Sequence, residues 1–151
     1  MHILMCNDDG IVADGLRHLA SNLSQYYRIT VVAPANEQSA KSHALTTEVP
    51  LKLDACNGED ENPRLYALTG TPSDCMKFGL SYLLTDDIPD LVISGINHGF
   101  NLGSDVLYSG TVSAAMESGF YGIPGLALSV ERYSVERGDE MHPFIHELIE
   151  K

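Results

Sequence analysis

Basic residues are scarce in this chain. Nine lysines and arginines stand against 21 aspartates and glutamates over 151 residues, a formal net charge of −12. With no basic stripe to neutralise phosphates, a nucleic-acid polymer is excluded as a partner. The charge also repels small anions at long range, so a phosphorylated ligand needs a local positive centre, which a bound cation supplies. Long apolar runs are missing too. None approaches the roughly 18–20 residues of a membrane span, and residues 2–5 are too short for the apolar stretch of a signal peptide. Cysteine is sparse and odd in number, at Cys6, Cys56 and Cys75, without Cys-x-x-Cys spacing. That argues against a disulfide framework or zinc ribbon and suits a reducing compartment, so a cytoplasmic location is expected.

What remains is an ordinary globular composition, 44% apolar and 20% charged, of a length that suits a single domain over residues 1–151. Apolar strand patterns at residues 2–6, 28–33, 65–68, 90–94 and 125–130 alternate with helical patterns. Asp14 is placed to cap the first helix, in which Leu16, Leu19, Ala20 and Leu23 fall on one face. Residues 45–53 alternate like a strand, and Pro50 marks them as an edge strand or an arm. Thr71-Pro72-Ser73-Asp74 has the form of a helix start and predicts a helix to about residue 84; another is predicted over 111–121. Phe144, Ile145, Leu148 and Ile149 form a helical stripe after Pro143 that stops without a C-cap, so a longer chain is expected. Near-continuous apolar strands separated by helices indicate an α/β fold: three layers, Rossmann-like, a mainly parallel sheet with helices on both faces. Ligands in such folds bind beyond the carboxyl ends of the strands.

Each unusual loop leaves such an end. Asp8 and Asp9 follow the first strand, where Gly10 allows a sharp turn, and two carboxylates aimed at one point repel unless a cation lies between them. A turn pair bonded to loop amides is the plainer reading of the same residues. With no His or Cys beside them in sequence, a hard ion such as Mg²⁺ or Mn²⁺ suits them. In residues 94–105, Asn97 and Asn101 offer amide oxygens and donors among glycines. Ser109-Gly110-Thr111 opens a helix whose free N–H groups and dipole suit a phosphate, and the same residues also read as an ordinary cap. Gly70–Asp74 reads mainly as a helix cap. His43 and His98 lie in site loops, and Cys6 and Cys75 read as small core residues.

Five segments together are more specific than any one. Asn7-Asp8-Asp9-Gly10, Gln38-Ser39, Gly70-Thr71-Pro72-Ser73-Asp74, Ser94-Gly95-Ile96-Asn97-x-Gly99-x-Asn101-x-Gly103-x-Asp105 and Tyr108-Ser109-Gly110-Thr111-Val112 resemble, in order and spacing across residues 1–130, the survival protein SurE family. The resemblance implies a metal-dependent phosphatase acting on nucleoside 5′- and 3′-monophosphates, with one divalent cation, Mg²⁺ or Mn²⁺. Carried over by position, Asp8, Asp9, Ser39 and Asn97 are the implied metal ligands, and Asn101, Ser109, Gly110 and Thr111 the implied phosphate contacts. Ser39 enters through the resemblance alone. It is followed by Ala40-Lys41, where the family often carries a glycine-containing turn. The family's chains also run well past residue 151 into an extension associated with assembly, which implies a homo-oligomer, dimer or tetramer, for the full-length form.

The expected chemistry is metal-assisted phosphomonoester hydrolysis by in-line attack of water. Asp8 is the expected catalytic residue, either handling the water's proton or forming an aspartyl-phosphate, and both routes stay open. A receiver-like phosphate-sensing module is the alternative. It needs an Asp and a Lys at strand ends that here carry Ser94-Gly95 and Ser129-Val130. A nicotinamide dehydrogenase is disfavoured, because no Gly-x-Gly-x-x-Gly follows the first strand.

Overall fold

A computed structural model describes residues 1–151. Its strands are β1 (His2–Cys6), β2 (Arg28–Pro34), β3 (Leu53–Ala55), β4 (Arg64–Leu68), β5 (Leu91–His98) and β6 (Gly125–Val130). They form one sheet in the order β3-β4-β2-β1-β5-β6, with every neighbouring pair parallel except β3 against β4. The helices are α1 (Asp14–Leu23), α2 (Pro72–Phe78), α3 (Gly110–Gly119) and α4 (Val135–Ile149). Alternation along the strands supplies both faces of the sheet. Ile3 and Met5 join Ile29, Val31 and Ile93 under Leu16, Leu19 and Leu23 of α1 and Ile145 and Ile149 of α4. Leu4 and Cys6 join Val32 and Val92 under Cys75 and Met76 of α2 and Ala114 of α3. Burying each of the Val, Leu, Ile and Met side chains among them contributes about 1.5–3 kcal/mol. The result is the helix–sheet–helix layering expected from the sequence, and no helix is long and apolar enough to cross a membrane.

The strand order positions the site. From β1 the chain moves one way, through β2 to β4, and then returns to the opposite side of β1 with β5 and β6. The crevice therefore opens where the direction reverses, beyond the ends of β1 and β5. Asp8, Asp9 and Asn97 lie at those two ends.

Several local expectations need correction. Asp14 is not the cap of α1; Ala13 occupies that place, and no side chain caps the helix. Of residues 45–53, only Leu53 enters a strand, and β3 continues to Ala55. Pro50 has no N–H to give a ladder, and the preceding residues run irregularly over the surface. The helix begun at Pro72 keeps its α-helical form only to Phe78 and continues as a wider π-helical turn over Gly79–Leu83. The fifth strand reaches four residues further than expected, to His98, and the following loop contains a 3₁₀ turn at Gly103–Leu107. α4 begins at Val135, so Pro143 lies inside the helix and not before it. Its buried face is Gly138, His142, Ile145 and Ile149, while Phe144 from the expected stripe faces outward at 60% exposure.

At Gly70–Asp74 the cap reading fits the structure. The Thr71 hydroxyl accepts from the Asp74 amide at 3.1 Å, and the Asp74 carboxylate accepts from the Thr71 amide at 2.9 Å. The same carboxylate also takes the Thr46 amide at 3.0 Å and the Thr46 hydroxyl at 2.6 Å, which ties the 45–52 segment to α2. Replacing Asp74 with alanine strands these buried donors. The expected loss is about 2–3 kcal/mol of stability, read as a lower denaturation midpoint with an unchanged m-value.

Candidate functional site

The turn after β1 is built by Asn7. Its side chain donates to the Gly10 carbonyl at 3.1 Å and accepts from the Gly10 amide at 3.1 Å, while Gly10 takes φ +100°. That closed turn presents Asp8 and Asp9 at the sheet's edge, Asp8 buried and Asp9 half-buried. The Asp8 Oδ1 accepts a 2.5 Å hydrogen bond from the Thr111 hydroxyl. Close packing enforces the pairing: a Cβ on Gly110 would stand 2.8 Å from the Asp8 Cβ and 3.1 Å from the Pro72 ring.

Ser39 reaches the site through the backbone. The Gln38 amide donates to the Asp8 carbonyl at 2.7 Å, which places the next residue beside the carboxylates. Further along, the Ser42 amide and hydroxyl donate to the Tyr108 and Leu107 carbonyls at 3.1 and 2.8 Å. Between these anchors Ala40 and Ser42 adopt φ +57° and +54°, the left-handed region that glycine enters most easily. The Ala40-Lys41 departure thus keeps the backbone shape a glycine would favour.

Asn97 and Asn101 come from the other side. β5 carries one residue more than β6 between two pairings, since Ser94 faces Ala127 and Asn97 faces Ser129. This bulge turns the strand's end toward the Asp pair. The Asn97 amide donates to the Gly99 carbonyl at 2.8 Å, and that of Asn101 to the Ser129 hydroxyl at 2.7 Å. Each side-chain carbonyl oxygen is left to accept.

These residues meet around one cavity of about 310 Å³. Its wall includes Asp8, Asp9, Ser39, Asn97, Asn101 and Ser109. Gly110 and Thr111 are not in the wall as side chains; Gly110 lies against Asp8, and the Thr111 hydroxyl is committed to it. Ser109 caps α3, accepting from the Val112 amide at 3.1 Å, as the cap reading of this turn has it. His98 lies at the cavity, whereas His43 is tied to buried Glu117 at 2.6 Å and is not in the wall. Cys6 and Cys75 are fully buried, and burial pushes the Cys75 thiol well up, as suits core residues. The role of Thr111 as a brace for Asp8 was not visible in the sequence. Its signal there was only a threonine one residue inside a helix start.

The donor set fits a hard divalent cation. Two carboxylates, a hydroxyl and an amide oxygen line one wall, beside exposed His98, and the Ser39 hydroxyl donates to Glu37 at 2.7 Å. The wall also holds Asp105 and has no Lys or Arg. Burial first, and then the charge of Asp8, push the Asp9 carboxyl above its ordinary range. A cation relieves that repulsion and gives an anion something to bind.

Comparison with known proteins agrees with the fold. The family model described as Survival protein SurE matches residues 3–151. A 5'-nucleotidase SurE of Thermoanaerobacter sp. (strain X514) is 49% identical over 151 residues, which are all of this chain and 59% of that protein. One from Vibrio vulnificus (strain YJ016) is 50% identical over 130 residues, 86% of this chain and 49% of that protein. The crystal structure of the SurE protein from Aquifex aeolicus superimposes with a TM-score of 0.85 at 37% identity, covering 100% of this chain and 61% of that one. The chain therefore spans about 59% of the Thermoanaerobacter relative's length. With the family model matched over residues 3–151 and the fold superimposing at a TM-score of 0.85, the chain belongs to the survival protein SurE family.

Proposed function

We propose that this chain carries the catalytic centre of a metal-dependent phosphomonoesterase that hydrolyses nucleoside 5′- and 3′-monophosphates to nucleoside and phosphate. The single observation that supports it most is the cavity at the switch point, where Asp8, Asp9, Ser39 and Asn97 share one wall with Asn101 and Ser109. The relatives' description as 5'-nucleotidases supports the same substrate class. A second cavity of about 470 Å³ shares Asp9, Ser39 and His98 with the first, so an ester larger than phosphate has adjoining space.

Asp8, Asp9, Ser39 and Asn97 would hold one Mg²⁺ or Mn²⁺, which when bound neutralises phosphate charge and stabilises its growth in the transition state. The chain's own groups do the rest. The α3 amides of Gly110 and Thr111 precede the first intrahelical bond and bind phosphate oxygens, as does a remaining N–H of Asn101. Thr111 fixes one oxygen of Asp8, leaving the other to orient a water or accept its proton. Asp8 as a nucleophile fits the same geometry, and trapping of a phosphorylated protein distinguishes the two routes.

Phosphate release from a panel of nucleoside monophosphates, with and without added Mn²⁺ or Mg²⁺, tests the proposal. Metal-dependent turnover supports it. Metal-dependent binding without turnover points to a sensing module and overturns it. Within it, Thr111→Val is expected to lower kcat roughly 10-fold or more with little change in KM, because Asp8 loses its brace. Thr111→Ser, which keeps the hydroxyl, is expected to retain most of the activity.

A further inference from the structure

On the face of the sheet away from α2 and α3, two histidines and an aspartate meet between α1 and α4. We propose that His18, Asp139 and His142 form a second metal site, taking a borderline dication of the Zn²⁺ class and clasping α4 to α1. One potential ligand atom from each residue lies within 4.8 Å of the others. His18 Nε2 is 3.2 Å from an Asp139 carboxylate oxygen, and His142 Nδ1 is 3.7 Å from the same oxygen. In a tetrahedral zinc site with bonds of about 2.0–2.1 Å, ligand atoms stand about 3.3 Å apart. An adjustment of roughly an ångström in side chains completes the set.

The local structure is arranged for ligation. Asp139 and His142 are three apart on α4 and share a face, and α1 contributes His18 across the helix pair. The other nitrogen of His18, Nδ1, is 2.6 Å from the Tyr133 hydroxyl. A hydrogen bond there fixes the ring with Nε2 toward Asp139, and when Nδ1–H donates to the Tyr133 oxygen Nε2 presents the lone pair that a metal-bound imidazole requires. His142 is 94% buried by its 6% exposure, yet its Nε2 has no hydrogen-bond partner, and its Nδ1 contact with Asp139 is too long for one. A buried imidazole with no hydrogen bond beside a carboxylate is a set of ligands with its valences open.

The two centres differ in chemistry. The four ligands proposed around Asp8 and Asp9 are oxygen donors and suit Mg²⁺ or Mn²⁺, whereas two imidazoles and a carboxylate suit Zn²⁺ and leave a position for water. The clasp also bears on the cavities, because Tyr133, bonded to His18, forms part of the wall that holds Asp9. Holding α4 against α1 keeps that wall in place. None of this depends on the phosphatase reading.

Titration with Zn²⁺ in excess Mg²⁺, followed by calorimetry and repeated with Co²⁺ to record its visible absorption, decides the matter. The expected result is one equivalent bound with micromolar or tighter affinity, with cobalt bands of a four- or five-coordinate nitrogen-bearing site. Asp139→Asn, at an exposed position that leaves folding intact, and His18→Gln are each expected to weaken binding at least tenfold. Asp9→Asn is expected to leave that equivalent unchanged. Binding no tighter than millimolar, binding undisturbed in both the 18 and 139 variants, or loss of the equivalent in Asp9→Asn instead overturns the proposal. Should His142→Gln fail to fold, the other two variants carry the test.

Discussion

Asp8→Asn is expected to lower phosphate release from nucleoside monophosphates by roughly 10³-fold or more, with secondary structure and melting temperature close to those of the parent. The structural argument is that asparagine keeps what the fold needs and removes what the chemistry needs. Its side-chain oxygen still accepts from the Thr111 hydroxyl, and its size matches the space that Gly110 leaves beside it. The β1 turn is closed by Asn7 and does not use the Asp8 carboxylate. What disappears is one negative charge and one acceptor in a wall where carboxylates are the means of gathering a cation. Steady-state kinetics beside a circular-dichroism melt checks both halves. Turnover within tenfold of the parent would remove Asp8 from the catalytic role, and a collapsed melt would make the residue structural. Losing the charge also relieves Asp9, whose carboxyl is held above its ordinary range partly by Asp8. Removing a repulsion can only help the metal-free fold, which strengthens the expectation of an intact melt.

How far the sequence announced this arrangement depended on the range of the forces involved. The Asp pair, the Thr71 cap and the start of α3 were legible because their geometry is settled within four or five residues, by strand exits and helix ends. The alternation of apolar strands and helices disclosed the layering for the same reason. Ser39 was not legible from chemistry, because a backbone bond from Gln38 to Asp8, between residues 30 apart, brings it in. The motif marks Thr111 as a phosphate contact, while its hydroxyl braces a carboxylate 103 residues away. α4 is legible only in its last turns, as the apolar stripe after Pro143. The helix carries it internally because Gly138, His142, Ile145 and Ile149 are buried on one face across the proline. The bulge in β5 is the least visible feature, because an extra residue in a strand can be counted only against its neighbour.

That bulge is where the largest loss of stability is expected. Gly95→Ala should destabilise the protein by about 2–6 kcal/mol, from about 1–3 kcal/mol for a disallowed backbone and a similar amount for overpacking. Gly95 has φ +129°, a conformation L side chains rarely adopt, and an added Cβ would stand 2.3 Å from the Leu128 carbonyl oxygen. That oxygen belongs to the β6 backbone, so the collision cannot be relieved by turning a side chain. Either β5 and β6 part at the bulge or the chain leaves the left-handed region, and both movements carry Asn97 away from Asp8 and Asp9. Against a total stability of roughly 5–15 kcal/mol, the change removes a large share, and a displacement of about 1 Å at Asn97 lowers kcat/KM by roughly 10² in the molecules that still fold. Gly119→Ala is the matched control, since its added Cβ meets nothing within 4 Å at the end of α3, and it should be neutral or slightly stabilising. Denaturant midpoints for the pair, with activity measured on the folded fraction, separate the causes. A Gly95→Ala protein as stable as Gly119→Ala would show that the bulge yields without strain, and that the position of Asn97 does not rest on this glycine.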